Sequence, residues 1–124
     1  MKTIEKNLIS LLCGILMILS VHVNAQDPIK AAPNLYKVIL DNDKVRVMEL
    51  IIAPNDSVPW HSHPYHLIFA MADGKLEITD KGKAPQTAEF KAGEVMEMSA
   101  TTHMGKNTGG TTIKMLVTEL KVKN

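Results

Sequence analysis

The apolar and polar residues of this chain alternate over short segments. They alternate at positions 45–52 and 76–79 and again at 95–98, and residues 67–71 form a brief apolar run. Clusters of Asp, Asn, Gly and Pro separate these segments at intervals of roughly 8–12 residues, which is typical of a β-sandwich or β-barrel. No stretch after residue 25 shows the period of about 3.6 residues that marks an amphipathic helix. The pattern therefore predicts an all-β fold.

The boundaries of the domain follow from the same pattern. Residues 26–34 are polar and contain two prolines, so that we expect a loose lead-in or an edge strand. The Asp73-Gly74 pair is typical of a β-hairpin and predicts that the strands on either side of it are neighbours. The sequence thus predicts a lead-in at residues 26–37 and one domain at residues 38–122. Its strands are expected at residues 38–40, 45–52, 67–71, 76–79, 87–90, 95–98 and 111–122.

Residues 1–25 have the organisation of a secretory signal peptide. Lys2 and Lys6 form a basic head, residues 8–21 form an apolar run, and short residues lead to Ala25. The run is short for a membrane helix, which needs about 20 apolar residues. We therefore expect cleavage after Ala25 and a bacterial periplasmic or secreted protein with no stable membrane insertion. An uncleaved membrane anchor is the alternative.

Composition limits the partners of the mature chain. Without Lys2, Glu5 and Lys6, 12 of the 14 basic and 12 of the 13 acidic residues remain, so that the formal net charge is zero. Nucleic-acid binding depends on a basic excess, and no nucleic-acid partner is expected. The one cysteine, Cys13, lies in the predicted signal peptide, so that no disulfide stabilises the mature domain. The small size of that domain favours a homodimer.

Four histidines are concentrated in two places of the mature chain. His61, His63 and His66 lie close together, and His103 follows 40 residues after His63. Side chains at i and i+2 of a strand point to the same face, so that His61 and His63 can bind one metal ion. His103 can join them if its strand lies next to theirs. Imidazole is a common ligand of Zn, Fe, Ni and Cu, although one buried and one surface histidine with no metal would give the same pattern.

The first histidine segment resembles a motif of the cupins, G-x5-H-x-H-x3–4-E-x6-G. His61-x-His63 matches its centre, and Gly74 matches its last glycine. The leading glycine and the glutamate of the motif are missing. Counting seven residues back from Gly74 reaches Leu67, and counting seven back from the residue before Gly74 reaches His66. We favour His66 for the glutamate position, because a leucine there would leave an apolar gap in a polar site.

The second histidine segment is similar to the other cupin motif, G-x5-P-x-G-x2-H-x3-N. It runs from Gly93 to His103-x3-Asn107, with Ser99 in place of the proline, no second glycine and one residue fewer. The two motifs occur in the cupin order. This resemblance covers residues 38–122 and implies a double-stranded β-helix, or jelly-roll barrel.

The resemblance also implies a metal site. Its ligands would be His61, His63 and His103, with His66 as the fourth, around a divalent transition metal (Zn, Fe, Ni or Cu). Because a neutral imidazole replaces a carboxylate, the charge of such an ion would favour an anionic small-molecule ligand.

Other side chains near the histidines are weaker candidates. On strand 95–98, Val95 and Glu97 share one face and Met96 and Met98 the other, and we expect the methionine face to point inward. Glu97 would act as an acid or base only if it pointed inward. Apolar side chains can either line a pocket or, more commonly, pack in the core; they are Trp60, Tyr65, Phe69, Met71, Met96, Met98 and Met104.

Three functions are compatible with these residues. The first is a metal-dependent enzyme of the dioxygenase, isomerase or lyase type that acts on a small molecule outside the cytoplasm. The second is a non-catalytic module that holds a metal or a small ligand such as a sugar. The third is a cupin without metal that serves in interactions. The fold by itself does not choose among them.

Overall fold

Residues 26–121 are described by a computed structural model; the predicted signal peptide at residues 1–25 and the last residue of the final predicted strand, Val122, lie outside the described residues. The described chain is almost entirely β-structure, which confirms the predicted fold class. Its elements are α1 (Pro28–Ala31), β1 (Tyr36–Asp41), β2 (Val45–Ile52), β3 (Ser57–His63), β4 (His66–Ala70), β5 (Gly74–Asp80), β6 (Gln86–Phe90), β7 (Val95–Met98), β8 (Thr101–Asn107) and β9 (Ile113–Leu120).

The strands form two antiparallel sheets. The five-stranded sheet has the order β1-β2-β9-β4-β7, and the four-stranded sheet has the order β3-β8-β5-β6. Neighbours within a sheet are often distant in the sequence, as β2 and β9 or β3 and β8 are. The chain crosses to the other sheet after β2, β3, β4, β6, β7 and β8. This winding is that of a jelly roll, or double-stranded β-helix, and it confirms the predicted architecture.

The core lies between the inward faces of the two sheets. On β9, Ile113, Met115 and Val117 are buried, whereas the intervening Lys114 is exposed, as the two-residue period of a strand requires. Burying each aliphatic side chain contributes about 1.5–3 kcal/mol. The buried core residues of the strands are Tyr36, Met48, Leu50, Ile52, Val58, Ala70, Phe90, Ile113, Met115 and Val117.

The lead-in begins with a turn of helix, not with the loose segment or edge strand that the sequence predicts. Asp27 caps α1, since its side chain accepts a hydrogen bond from the Ile29 backbone N–H at 3.0 Å, and Pro28 occupies the first turn. Four residues are too few to show a helical period, which explains why the pattern did not predict this helix. Among residues 26–121, no helix is long and apolar enough to cross a membrane.

The Asp73-Gly74 pair does not form the predicted hairpin. It connects β4 in the five-stranded sheet to β5 in the four-stranded sheet, and Gly74 lacks the positive φ that a type I′ turn requires. A glycine is needed there for another reason: a Cβ atom on Gly74 would lie 2.6 Å from two carbons of the buried Phe90 ring. Asp73 accepts a hydrogen bond from the Ala92 backbone N–H at 2.9 Å. The Asp73-Gly74 pair therefore belongs to the loop that connects the two sheets.

Candidate metal centre

Strands β3 and β8 bring three of the four histidines together. His61 and His63 point to the interior from β3, and His61 is the direct cross-strand partner of His103 on β8. All three side chains are buried, with residue exposures of 2% for His61, 5% for His63 and 8% for His103. Each offers a ring nitrogen that lies within 4.8 Å of those of the other two. The three imidazoles form a cluster that could hold one metal ion.

His66 approaches the same cluster from the other sheet. It begins β4, is fully buried, and its ring lies at a centroid distance of 4.5 Å from that of His63, tilted by 30°. Leu67 is the next residue and lies on the opposite face of the strand. Of the two residues considered for the glutamate position, His66 is therefore the one that faces the cluster. Its role as fourth ligand stays a prediction.

Two of the rings have their tautomer fixed by backbone carbonyls. His61 Nδ1 lies 2.7 Å from the Pro59 carbonyl oxygen, and His66 Nδ1 lies 2.8 Å from that of Pro64. A carbonyl oxygen only accepts, so each Nδ1 carries the proton and each Nε2 keeps a lone pair. His66 Nε2 is buried and has no hydrogen-bond partner among the described residues. Because buried polar atoms normally have a partner, a bare lone pair in this cluster fits a metal ligand.

A buried carboxylate that the sequence analysis missed fixes the third ring. Glu119 Oε1 accepts a hydrogen bond from His63 Nδ1 at 2.8 Å, and Glu119 Oε2 accepts one from Arg46 Nε at 2.9 Å. Arg46 also donates to Asp27 at 2.6 Å. We refer to these three residues, Asp27, Arg46 and Glu119, as the charge relay; Glu119 is buried, and the other two are partly exposed. One signal was available: Glu119 is a charged residue on the inward, otherwise apolar face of β9.

The relay keeps Glu119 ionised. Burial raises the pKa of this carboxyl, but the hydrogen bonds from His63 and Arg46 outweigh burial, and the pKa lies below its ordinary value of 4.5. The carboxylate therefore accepts the proton of His63 Nδ1, which leaves Nε2 as the nitrogen that could bind a metal ion. A histidine whose second nitrogen donates to a carboxylate is the usual arrangement in protein metal sites.

Burial also keeps the other imidazoles neutral. It lowers the pKa of His61 to about 4 and that of His103 to about 3, and the neighbouring histidines lower both further. Neutral imidazole is the form that binds metal ions. His103 Nδ1 has no hydrogen-bond partner among the described residues and lies 3.7 Å from Asp80 Oδ1.

Tyr36 is a second residue that the sequence analysis missed. It lies on β1 with 6% of its surface exposed, and its ring is close to those of His61 and His63, at centroid distances of 6.0 and 6.3 Å. The hydroxyl lies 3.4 Å from His61 Nε2. Because His61 carries its proton on Nδ1, the hydroxyl is the donor. Burial and the nearby carboxylates Glu119 and Asp27 raise the pKa of Tyr36, so that it keeps its proton at neutral pH.

A cavity of about 520 Å³ opens onto the four imidazoles. Its inner wall is otherwise largely apolar, with Ile68 and Met96 from one sheet and Leu76 and Ile78 from the other. These four side chains are only partly buried, and Ile68, Leu76 and Met96 also pack against the hydrophobic core. The charged residues of the lining are Asp80, Lys83 and Glu97, of which Lys83 and Glu97 are exposed.

The structure shows which of the apolar side chains near the histidines line the cavity. The three methionines, Met96, Met98 and Met104, line the cavity, and the inward face of β7 is the methionine face, as expected. The other four residues, Trp60, Tyr65, Phe69 and Met71, neither line the cavity nor pack in the core, since between 36% and 44% of each is exposed. Glu97 is exposed, lines the cavity, and accepts a hydrogen bond from the Tyr65 hydroxyl at 2.7 Å.

Comparison with known proteins agrees with this geometry. A family model described as Cupin domain matches residues 48–119. The chain is similar to a cupin domain from Bordetella pertussis Tohama I, with 22% identity, a TM-score of 0.67, and coverage of 71% of this chain and 93% of the other. It is also similar to the polyketide cyclase RemF from Streptomyces resistomycificus, with 23% identity, a TM-score of 0.54, and coverage of 70% and 64%.

At these identities the likeness to solved structures shows the fold alone. No curated protein matches the chain. The family match spans more than half of the chain and contains all four clustered histidines. This chain belongs to the cupin domain family.

Proposed function

We propose that this protein is an exported, metal-dependent enzyme of the dioxygenase or isomerase type that acts on a small, mostly apolar molecule bearing an anionic oxygen. One observation carries the proposal: four buried imidazoles meet at a cavity whose inner wall is otherwise largely apolar. An ion there would supply Lewis acidity, which polarises an oxygen atom of a bound molecule.

The donor set supports a transition metal. His61, His63 and His103 would hold it, with His66 as the fourth ligand. All four are nitrogen donors, which suit Zn, Fe, Ni and Cu better than the oxygen-preferring Mg, Ca or Mn. The partners of the Nδ1 atoms of His61, His63 and His66 lie outside the cluster, so that their Nε2 atoms are the ones that would bind the ion.

The cavity supports a small organic ligand. Its volume of about 520 Å³ lies in the range of roughly 300–1,000 Å³ that small-molecule sites occupy. The apolar wall would contact the carbon skeleton, and the histidine end would receive a polar group. The neighbour RemF is a polyketide cyclase, so that an enzyme is known among proteins of this fold.

The sequence of residues 1–25 supports export. We propose cleavage after Ala25 and a periplasmic or secreted mature protein, with a second copy of the chain as a partner and no nucleic acid. Mass spectrometry of the purified protein gives its N-terminus, and light scattering gives its oligomeric state. A protein that keeps residues 1–25 in the membrane fraction would refute cleavage after Ala25 and release of the mature protein, and a protein found in the cytoplasm would refute export.

A non-catalytic binding module is the second candidate, and the composition of the cavity favours it. Among the described residues that line the cavity, the two carboxylates, Asp80 and Glu97, are half-buried and exposed respectively, and neither reaches the Nε2 atoms of the cluster by a hydrogen bond. The inner cavity therefore offers few groups besides Tyr36 and the histidines for proton transfer. Its apolar wall is poorly suited to a sugar.

The experiment compares the full chain, expressed without a tag and purified after export, with His61→Ala/His63→Ala. Elemental analysis should find about one equivalent of transition metal in the wild type and less than about a tenth in the variant. Equal metal contents, or none in either, would contradict the metal site. The metal-loaded wild type is then tested for turnover and oxygen uptake with enolisable and catechol-like compounds. Ligand-induced thermal shifts without any turnover would favour the binding module.

A further inference from the structure

The Tyr36 hydroxyl and the proposed metal ion would both bind to the same atom, His61 Nε2. The hydroxyl donates its hydrogen bond to His61 Nε2 at 3.4 Å. His61 Nδ1 is already engaged with the Pro59 carbonyl, so that Nε2 is the atom through which His61 would bind an ion. Nε2 has one lone pair, which can serve either the hydroxyl proton or the ion, but not both.

An ion on His61 would leave the Tyr36 hydroxyl without its acceptor. The hydroxyl has no second hydrogen-bond partner among the described residues. The two carboxylates that act on its pKa, Glu119 and Asp27, already accept with both of their oxygens, Glu119 from His63 and Arg46 and Asp27 from the Ile29 backbone N–H and Arg46. Tyr36 lines the cavity in a row with Leu50 and Met115; Leu50 offers no side-chain acceptor, and the thioether of Met115 is only a weak one. A buried hydroxyl in this position requires a new acceptor.

We propose that the Tyr36 hydroxyl donates a hydrogen bond to the anionic oxygen of the small molecule that binds at the metal. This proposal rests on the proposed metal-dependent function and adds a positioning residue to it. The released donor faces the cavity at the histidine end, where the polar group of the ligand would lie. The ligand class is then a carboxylate or enolate on an apolar body, with one oxygen held by both the ion and Tyr36.

The same geometry predicts how removal of the Tyr36 hydroxyl changes the metal affinity. In the metal-free protein, the Tyr36 hydroxyl competes with the ion for the lone pair of His61 Nε2. Removal of the hydroxyl therefore strengthens metal binding or leaves it unchanged, whereas it weakens the binding of an anion to the loaded site. A residue that merely supports the packing of His61 would weaken both when it is altered. The opposite directions of these effects distinguish the two roles.

The test uses Tyr36→Phe, which keeps the buried ring, with Tyr65→Phe as the matched control. Tyr65 is an exposed tyrosine whose hydroxyl donates to Glu97, and it does not line the cavity. The full chain is loaded with Co²⁺, whose visible absorption reports on its ligands, and is titrated with benzoate. Metal affinity is measured separately by competition with a chromophoric chelator, and thermal melting of the metal-free forms checks the fold.

We expect Tyr36→Phe to bind Co²⁺ at least as tightly as the wild type and benzoate about tenfold more weakly. Tyr65→Phe should match the wild type in both. Equal benzoate affinity in Tyr36→Phe and the wild type, or weaker Co²⁺ binding in Tyr36→Phe, overturns the role of Tyr36 while the metal site stands. A wild type that binds Co²⁺ but no benzoate also overturns it. A wild type that binds no Co²⁺ overturns the proposed function and this inference with it.

Discussion

The charge relay predicts that the variant Glu119→Gln binds metal more weakly and is less stable than the wild type. Glu119 is 4% exposed and accepts from two donors, His63 Nδ1 at 2.8 Å and Arg46 Nε at 2.9 Å. Glutamine has nearly the same volume but only one acceptor oxygen, and its amide nitrogen would face one of these two donors. The variant therefore loses one hydrogen bond and the negative charge that neutralises Arg46, without leaving a cavity.

Two magnitudes follow from these contacts. Removal of the acceptor that orients a metal-binding histidine typically costs about 10–100-fold in metal affinity, or about 1.4–2.7 kcal/mol. Removal of one partner from a buried ion pair costs about 3–5 kcal/mol. Because Arg46 keeps its contact with Asp27 at 2.6 Å and glutamine keeps one oxygen, we expect a smaller loss of about 2 kcal/mol in the free energy of unfolding of the metal-free protein.

Two measurements test these values. Chelator competition gives the loss in zinc affinity, and urea unfolding gives the loss in stability of the metal-free protein. The matched control is Glu89→Gln on β6, where the side chain is 75% exposed and its partner Lys75 lies 3.7 Å away. Such a surface pair contributes about 0–1 kcal/mol, and zinc binding should not change. If Glu119→Gln bound zinc as tightly as the control and unfolded at the same urea concentration, the relay would have no part in holding His63.

Two further predictions concern stability. Gly74→Ala should lower the free energy of unfolding by about 1–3 kcal/mol, because its Cβ atom would overlap the Phe90 ring; Gly110→Ala, which meets nothing within 4 Å, is the control, and equal stabilities would refute the clash. The metal-free protein should lose stability as the pH falls from about 6.5 towards 4, because burial lowers the pKa of His61 to about 4 and the unfolded chain takes up protons first. Urea unfolding at several pH values measures this, and a flat profile would contradict it.

The sequence predicts the fold class and the histidine cluster for the same reason. The two-residue period of apolar positions identifies strands locally, and the same period places His61 and His63 on one face. None of the predicted strands contains His103, and only the resemblance to the second motif groups it with them; the structure places it on β8, next to β3. Asn107, at the end of that motif, is fully buried and donates to the Ile52 and Thr111 carbonyls. Its presence in the motif thus reflects the closure of the β8–β9 turn and not metal binding.

Contacts that depend on strand register were not predictable. Glu119 pairs across the sheet with Arg46 on β2 and with His66 on β4, which are 73 and 53 positions away in the sequence. No local pattern specifies which residues face each other in such a pairing. Tyr36 was missed for a related reason, since it was assigned to the lead-in and reaches His61 only because β1 lies at the edge of the five-stranded sheet. The hairpin prediction at Gly74 is wrong because β4 and β5 lie in different sheets, and the glycine is needed there because of Phe90, a residue on another strand.

The glutamate missing from the first motif is partly replaced in charge by the relay. Asp27 and Glu119 each carry one negative charge and Arg46 one positive charge, so that the relay has a formal net charge of −1 directly behind His63. A divalent ion bound by neutral imidazoles would then retain about one uncompensated positive charge. That remainder would match a singly charged anion, to which Tyr36 is proposed to donate a hydrogen bond. Histidine in the place of a carboxylate thus does not leave the site without negative charge. In the proposed site, the negative charge would come from the residues behind the ligands, and the cavity side would be free for an anionic molecule.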